Sequence, residues 1–234
     1  MKKFAFLISI AVWFSSCDQM TGNGNIRTEK RNVGDFHGVK SGGSIDIEIK
    51  NGDTYSISVE DDDNLLPYIV TEVNDGILEV YYKSNTSINE DHAKVYVTAP
   101  SLDKIVAAGS SDIIANDILK NTKNIDMKVS GSGSIKGEVD APSVNLSIFG
   151  SGDIELTGRT KDFDGKVSGS GDLNCGKLQS ENATVIVSGS GNAHVFASVH
   201  LSATVSGSGD VYYGGNPTSP EIHTSGSGTV QTEK

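Results

Sequence analysis

The chain has 234 residues, which is enough for one sizeable core or two small domains. Charged residues make up 21% of it and only five residues are proline, whereas disordered chains usually carry more of both. The formal net charge of −11 argues against nucleic acid or an anionic membrane surface as a partner, because both repel an acidic protein. The cysteines are Cys17 and Cys175, and because Cys17 has another role, no intramolecular disulfide is expected.

Residues 1–17 predict an export signal. Two lysines precede an apolar stretch, 4–14, that is too short to span a bilayer comfortably. Two serines and then Cys17 resemble the lipobox of bacterial lipoproteins, which implies removal of residues 1–16 and acylation of Cys17. Most lipoboxes have leucine in place of Phe14, so the alternative is an ordinary secretory signal cleaved near Ser16. The expected domain plan is a signal at 1–16, a lipidated cysteine and polar tether at 17–25, and a folded domain at 26–234.

A Gly-Ser-Gly unit recurs through the second half of the chain. Its copies begin at 131, 150, 169, 189, 207 and 226, after a degenerate copy at Gly109, with spacings of 22, 19, 19, 20, 18 and 19 residues. Flexible linkers also contain glycine and serine, but these glycines keep step with alternating apolar residues such as Leu146, Ile148, Gly150 and Gly152. Alternate residues of a strand share a face, so the pattern predicts glycines that point inward and serines that point outward.

This register predicts an all-β fold, a single-stranded parallel β-helix (β-solenoid) with about 19–20 residues per rung over residues 105–230. Inward glycines indicate tight interior corners, and the rung length allows two or three short walls around a thin core. Residues 26–104 lack the short repeat but alternate as strands do, so we expect them to form longer, irregular first rungs and a cap. Antiparallel hairpins are the alternative, but they would not need the same Gly-Ser-Gly unit at a fixed interval.

Three features of the chain occur together: the segment 64–80 (NLLPYIVTEVNDGILEV), the segment 97–105 (VTAPSLDKI) and the serial GSGD and GSGN units. In this combination they resemble the head GIN domain family, whose members are described as auto-transporter adhesins and are frequent in Bacteroidetes lipoproteins. The resemblance covers residues 33–230. It implies a β-helical fold, a cell-envelope location and an adhesin-like role, and it supplies no catalytic residues.

A polar column follows the Gly-Ser-Gly units: Asp112, Ser134, Asp153, Asp172, Asn192, Asp210 and Thr229. A phosphate-binding loop would need a helix after each unit, and calcium-binding β-rolls use a nine-residue unit with a different order. The column therefore predicts a ladder of side chains that hydrogen-bond nearby backbone at a corner. A loosely held cation between Asp153 and Asp172, whose like charges would repel, is the alternative. No cofactor is expected.

Enzyme chemistry finds little support in the sequence. A polysaccharide lyase or hydrolase would need clustered carboxylates, or carboxylates beside basic residues, on adjacent rungs. Residues 130–234 contain one arginine, Arg159, and we find no acidic group there with bases at matching rung positions. The five histidines lack metal-ligand spacing and are expected at the surface, while Cys175 is expected to be buried and inert.

A flat outward surface remains as the candidate binding face, since solenoids often bind ligands along extended faces. Its members are Phe149, Ser151, Asp153, Ser168, Ser170, Asp172, Ser188, Ser190 and Asn192. We expect an outer-membrane lipoprotein, on the surface or the periplasmic side, that is anchored through Cys17 and binds a glycan or a surface protein but not nucleic acid. The alternatives are a periplasm-facing structural or envelope-signalling protein and, more distantly, a polysaccharide-acting enzyme.

Overall fold

The structure is a computed structural model that describes residues 19–89 and 92–233. This part of the chain is almost entirely β, with 22 strands and one 3₁₀ turn at Leu66–Tyr68. The expected signal peptide (1–16) and Cys17 lie outside the described residues. Within the described part, no helix has the length and apolar character needed to cross a membrane.

The strands wind into a parallel β-solenoid with up to three walls per rung, which confirms the predicted fold class. Adjacent strands along wall A are parallel and in register, so equivalent side chains of successive rungs form columns. In order along the axis, wall A contains β7 (Ile77–Tyr82), β3 (Gly38–Gly43), β10 (Lys104–Gly109), β13 (Asn124–Gly131), the last parts of β14 (Ser134–Gly150) and β15 (Asp153–Gly169), β17 (Asn182–Gly189), β19 (His200–Gly207) and β21 (Glu221–Gly226).

Wall B follows wall A in each rung, and a short wall C leads to the next rung. Strands β14 and β15 are 17 residues long because each passes through walls B, C and A. Wall C consists of β12 (Leu119–Lys120) and residues 139–140, 158–159 and 178–179. In order along the axis, wall B contains β9 (Lys94–Ala99), β4 (Asp46–Asn51), β11 (Asp112–Ala115), the first parts of β14 and β15, β16 (Leu173–Gln179), β18 (Ala193–Phe196), β20 (Val211–Gly214) and β22 (Val230–Thr232).

The corner between walls A and B explains the glycines. The first glycine of each unit has a positive φ, +135° at Gly169, and a Cβ there would lie 2.1 Å from the carbonyl oxygen of Gly150 on the preceding rung. The second glycine is buried, and a Cβ on Gly171 would lie 1.9 Å from the oxygen of Gly152. The prediction of an inward residue is confirmed for the second glycine, whereas the first one lies on the corner itself. Where one Gly-Ser-Gly unit stacks on another, both positions leave no room for a Cβ because the successive backbones are in contact.

The N-terminal end carries the cap that the sequence predicts, but its rungs are not in chain order. Strands β7 and β9 form a rung outside β3 and β4, although they follow them in the sequence. Beyond this rung the pairing becomes antiparallel: β6 (Ile69–Asn74) pairs with β7, β5 (Ser56–Asp62) with β9, and β2 (Ile26–Arg31) with β5. These antiparallel strands cover the parallel edges at this end.

Residues 19–25 are held against the cap, so the tether expected at 17–25 is shorter than the sequence suggests. Strand β1 (Gln19–Thr21) pairs in parallel with β8 (Ser87–Asn89). The side-chain amides of Asn23 and Asn25 donate to the carboxylate of Asp63, at 2.7 and 2.6 Å. These bonds lower the pKa of Asp63, with that from Asn23 as the largest cause.

The core is a thin stack of aliphatic side chains that face inward from all three walls. On wall A, one column contains Val129, Ile148, Val167, Val187 and Val205, all buried. Such stacking removes apolar area from water at every rung, which is the main favourable contribution to folding. Cys175 is buried in the same core, and this burial raises its pKa to about 12. The prediction that the Cys175 thiol is buried is therefore confirmed.

Candidate functional site

The polar column beyond the corner forms the predicted hydrogen-bonded ladder. Along most of the column, the side chain on one rung accepts the backbone N–H of the equivalent residue on the next: Asp153 Oδ1 from Asp172 at 2.8 Å, and Asp172 Oδ1 from Asn192 at 2.8 Å. Ser134 is an exception, since the N–H of Asp153 donates to the carbonyl oxygen of Gly133. Asn192 Oδ1 in turn accepts the N–H of Asp210 at 3.1 Å. The ladder supplies acceptors for backbone groups at the start of wall B, where the turn interrupts regular sheet pairing.

The residues of the predicted binding face stand on two walls rather than on one flat surface. Phe149, Ser168 and Ser188 are adjacent on the outward side of wall A. The exposed serines 151, 170 and 190 lie in the turn, while Asp153, Asp172 and Asn192 begin wall B and hold the next rung. The face therefore wraps around the corner. One side-chain oxygen of each of the three residues on wall B already accepts a backbone hydrogen bond.

The described residues contain no group of three or more histidine, cysteine, aspartate or glutamate side chains that could hold a metal ion. Asp153 and Asp172 are the pair for which the sequence suggested a cation. One carboxylate oxygen of each accepts a hydrogen bond from the rung that follows. The two neighbouring carboxylates therefore already have hydrogen-bond partners within the protein.

A shallow groove of about 320 Å³ on wall A is the most distinctive surface near the predicted face. Phe149 forms its apolar part and is 45% exposed, although its neighbours in the same column are the serines 130 and 168. The ammonium group of Lys128 lies 4.8 Å from the centroid of the Phe149 ring, within range of a cation–π interaction. The groove thus combines an exposed aromatic ring with two lysines, Lys104 and Lys128, one carboxylate, Asp126, and small polar side chains.

The column beside Phe149 extends this chemistry along the solenoid. In register on successive rungs, it contains Val106, Lys128, Ser147, Lys166 and Ile186. We call these five residues together with Phe149 the wall A strip. Phe149 was predicted from the sequence and the other five were not, although Lys128 and Lys166 are each 19 residues from Ser147 and the repeat length could have located them.

We expected no acidic residue in 130–234 to have a basic residue at a matching position on a neighbouring rung. Two ion pairs show that this expectation is wrong. Arg159 donates to both carboxylate oxygens of Asp140 on the preceding rung, at 3.0 and 2.8 Å. This hydrogen bonding lowers the pKa of Asp140 and raises that of Arg159. Lys136 also lies 3.3 Å from Glu155 on wall B. In each pair, the acidic and the basic residue lie on adjacent rungs and neutralise each other, as in ordinary surface ion pairs.

A second groove of about 320 Å³, on wall B, brings together residues that the sequence analysis kept apart. His194 stacks on Tyr212, with ring centroids 4.7 Å apart, and its Nδ1 lies 3.1 Å from the Glu233 carboxylate. Gly176 leaves the space into which Glu233 reaches. Glu155 and Lys177 also line this groove. His194 and Glu233 are therefore partners of each other within this groove.

The family comparison identifies the chain. The profile described as "Putative auto-transporter adhesin, head GIN domain" matches residues 35–217. This chain belongs to the head GIN domain family. The match covers most of the solenoid, from the start of wall A to the last complete rungs, and confirms the resemblance carried by segments 64–80 and 97–105.

Solved structures of similar proteins share the head GIN solenoid. A "putative adhesin" from Bacteroides fragilis, 22% identical, superposes with a TM-score of 0.85 over 92% of this chain and 100% of its own. Two structures from Parabacteroides distasonis cover the same shares: a "putative lipid binding protein" (27% identity, TM-score 0.77) and a "putative adhesin" (26% identity, TM-score 0.74). No curated protein gives a significant match. The family and these neighbours favour a non-enzymatic, adhesin-like role at the cell surface or envelope.

Proposed function

We propose that this head GIN domain protein is an outer-membrane lipoprotein that binds a surface ligand, a glycan or another surface protein, without changing it chemically. The adhesin descriptions of the family and its neighbours support binding rather than catalysis. The ion pairs on walls B and C support the same interpretation, because their acidic and basic groups neutralise each other. A rigid solenoid presents long rows of side chains in fixed register, which suits recognition of extended ligands.

The observation that carries the proposal is the exposure of Phe149. Phe149 lies outside the buried core, and at 45% exposure in a column of serines it leaves nearly half of its surface in water. Exposed aromatic side chains are common anchors of binding surfaces, where a partner buries them. The serines beside Phe149 keep its surroundings flat and accessible.

The proposed anchor is the acylated Cys17. Only one residue separates Cys17 from β1, and an extended chain spans at most about 3.6 Å per residue. The lipid would therefore hold the antiparallel cap close to the membrane. The solenoid would extend away from the cap, with Phe149 several rungs along it.

Adherence of whole cells tests the binding function without requiring knowledge of the ligand. Cells that produce the full-length protein are compared with cells lacking it for attachment to surfaces coated with envelope polysaccharides or matrix proteins. We expect the protein to increase attachment, and we expect Phe149→Ala to remove most of the increase. Val199→Ala is the matched control, because Val199 is 53% exposed but lies away from the strip. Equal attachment of cells with and without the protein would contradict the proposal and favour a periplasmic structural or signalling role.

An activity assay tests the more distant alternative, a polysaccharide-acting enzyme. Polysaccharides are incubated with the purified full-length protein and analysed by size-exclusion chromatography. We expect their elution to stay unchanged, because binding alone does not shorten a polymer. Shortened chains that disappear with a Glu155→Gln or Glu233→Gln variant would contradict the proposal and place an active site in the wall B groove.

A further inference from the structure

We propose that the wall A strip binds a single chain of an acidic polysaccharide, one that carries carboxylate groups on its sugar rings, aligned with the solenoid axis. This inference rests on the proposed binding function and names the ligand class. It follows from the charge of the strip, the position of its aromatic ring and the geometry of its flanks.

The charge of the strip is opposite to that of the whole protein. The chain has a net charge of −11, yet the strip contains Lys128 and Lys166 and no carboxylate. Among the described residues, the lysines that form ion pairs are Lys40, Lys94 and Lys136, on walls A and B, and neither lysine of the strip does. Two cations without an acidic partner, fixed on one surface of an acidic protein, are complementary to an anionic ligand.

The spacing of the lysines suits a ligand with repeated charges. Lys128 and Lys166 are two rungs apart in the same column, which is roughly 10 Å at the usual strand separation. Ser147 lies between them and can hydrogen-bond to sugar hydroxyls. A polymer that runs along the axis can place one carboxylate at each lysine and a sugar ring between them.

The aromatic ring supplies the contact that a sugar needs besides charge. Phe149 is two residues from Ser147 on the same face of wall A, so a ring held between the lysines lies next to it. The C–H face of a sugar ring is apolar and packs against aromatic side chains. Lys128 already lies over the Phe149 ring at 4.8 Å, so its ammonium can contact a ligand carboxylate while the ligand covers the ring.

The flanks of the strip favour a narrow chain over a membrane surface. Asp126 and Asp164 flank it on wall A, and Asp153 and Asp172 lie across the corner. A broad anionic lipid surface would meet these carboxylates together with the lysines and would be repelled. Binding to anionic lipids usually uses clusters of four to eight basic residues, more than the strip contains. A single polysaccharide chain can contact the strip and avoid its flanks.

Binding of the full-length protein, purified in detergent, to a polyuronate tests this inference. Biolayer interferometry measures its affinity for immobilised polygalacturonate, and for dextran as the neutral control. We expect saturable binding to polygalacturonate that weakens steeply as NaCl rises, and no binding to dextran. Phe149→Ala, Lys128→Gln and Lys166→Gln are each expected to weaken binding at least tenfold.

Lys136→Gln and Val199→Ala serve as matched controls, because they remove an exposed lysine and an exposed aliphatic side chain outside the strip. Circular dichroism melting confirms that every variant is folded. The inference is overturned by equal binding to dextran, by strip variants that bind like the wild type, or by binding to phosphatidylglycerol vesicles but not to polygalacturonate. If cell adherence still depends on the protein in any of these cases, the proposed function stands and only the ligand class is wrong.

Discussion

Asp153 Oδ1 accepts a hydrogen bond from the backbone nitrogen of Asp172, 2.8 Å away on the next rung. The same relation continues from Asp172 to Asn192 and from Asn192 to Asp210, so an amide oxygen can replace a carboxylate in the ladder. Serial side-chain acceptors at one corner thus connect the rungs from Asp153 to Asp210.

Substitution of Asp153 tests the ladder. We expect Asp153→Ala to lower the free energy of unfolding by about 1 kcal/mol, because it removes the acceptor of the Asp172 N–H. Asp153→Asn is the matched control and should be close to neutral, since Asn192 performs the same role. Urea unfolding measures both. Equal loss in the two variants would show that charge, rather than the acceptor oxygen, matters at this position.

The two glycines of a corner are expected to resist substitution for different reasons. Gly171→Ala should lower the unfolding free energy by about 1–3 kcal/mol through close packing alone, since its Cβ would lie 1.9 Å from the Gly152 oxygen. Gly169→Ala should lower the unfolding free energy further. Its Cβ would meet a similar clash, and the alanine would also have to adopt the positive φ of this position. Gly34→Ala is the control, as nothing lies within 4 Å of its added Cβ. Thermal melting that ranks Gly34→Ala with the corner variants would contradict this account of the repeat.

Ser111 offers a stabilising substitution. It occupies the place of the second glycine in the degenerate repeat, is fully buried, and its hydroxyl has no hydrogen-bond partner among the described residues. We expect Ser111→Ala to raise the unfolding free energy by about 1 kcal/mol, because it removes a buried hydroxyl that has lost its water. Ser132→Ala, at an exposed turn position, should have little effect. A loss of stability in Ser111→Ala would contradict the prediction and reveal a partner for the hydroxyl.

Acid is expected to loosen the last rung first. Hydrogen bonds from the Thr229 side chain and backbone lower the pKa of Asp210. A carboxyl whose folded pKa is lowered stabilises the fold above its unfolded pKa, and this contribution is lost as the pH falls through the folded value. Hydrogen exchange at Thr229 should therefore accelerate, relative to the intrinsic rate, as the pH falls below 3.8, the ordinary pKa of an aspartate. Asp210→Asn should remove much of this pH dependence, and an unchanged profile in that variant would exclude Asp210 as its cause.

The regular part of the fold could be predicted because a single repeat of about 19 residues determines where every rung turns. Gly150 and Gly152 keep the strand alternation, so the turn and the inward direction of Gly152 could be read from the sequence, whereas the position of Gly150 on the corner itself could not. The first corner was missed because Gly43 is followed by Ser44 and Ile45 rather than by Ser-Gly, although Gly43 aligns with Gly109 in the structure. The rung formed by β7 and β9 lies out of chain order, and such pairing between distant segments depends on the whole fold rather than on any local pattern.

The site was predicted only in part for a related reason. Phe149 is conspicuous among serines, but its cation partner Lys128 is close only after the register between rungs is applied. The pair Asp140 and Arg159 is likewise separated by one repeat of 19 residues and could have been found from that spacing. The reach of Glu233 to His194, two rungs away, depends on side-chain conformation and has no sequence signal.

The most direct test of the account is whether the solenoid faces the outside of the cell. Intact cells are treated with a membrane-impermeant, amine-reactive biotin reagent, for which the exposed Lys128 and Lys166 are targets, and lysed cells serve as the positive control. Labelling is preferred to proteolysis because a tightly paired solenoid can resist proteases wherever it lies. We expect the protein to be labelled on intact cells while a periplasmic marker stays unlabelled. Labelling only after lysis would contradict the adhesin-like role and make a periplasmic structural or signalling protein the better account.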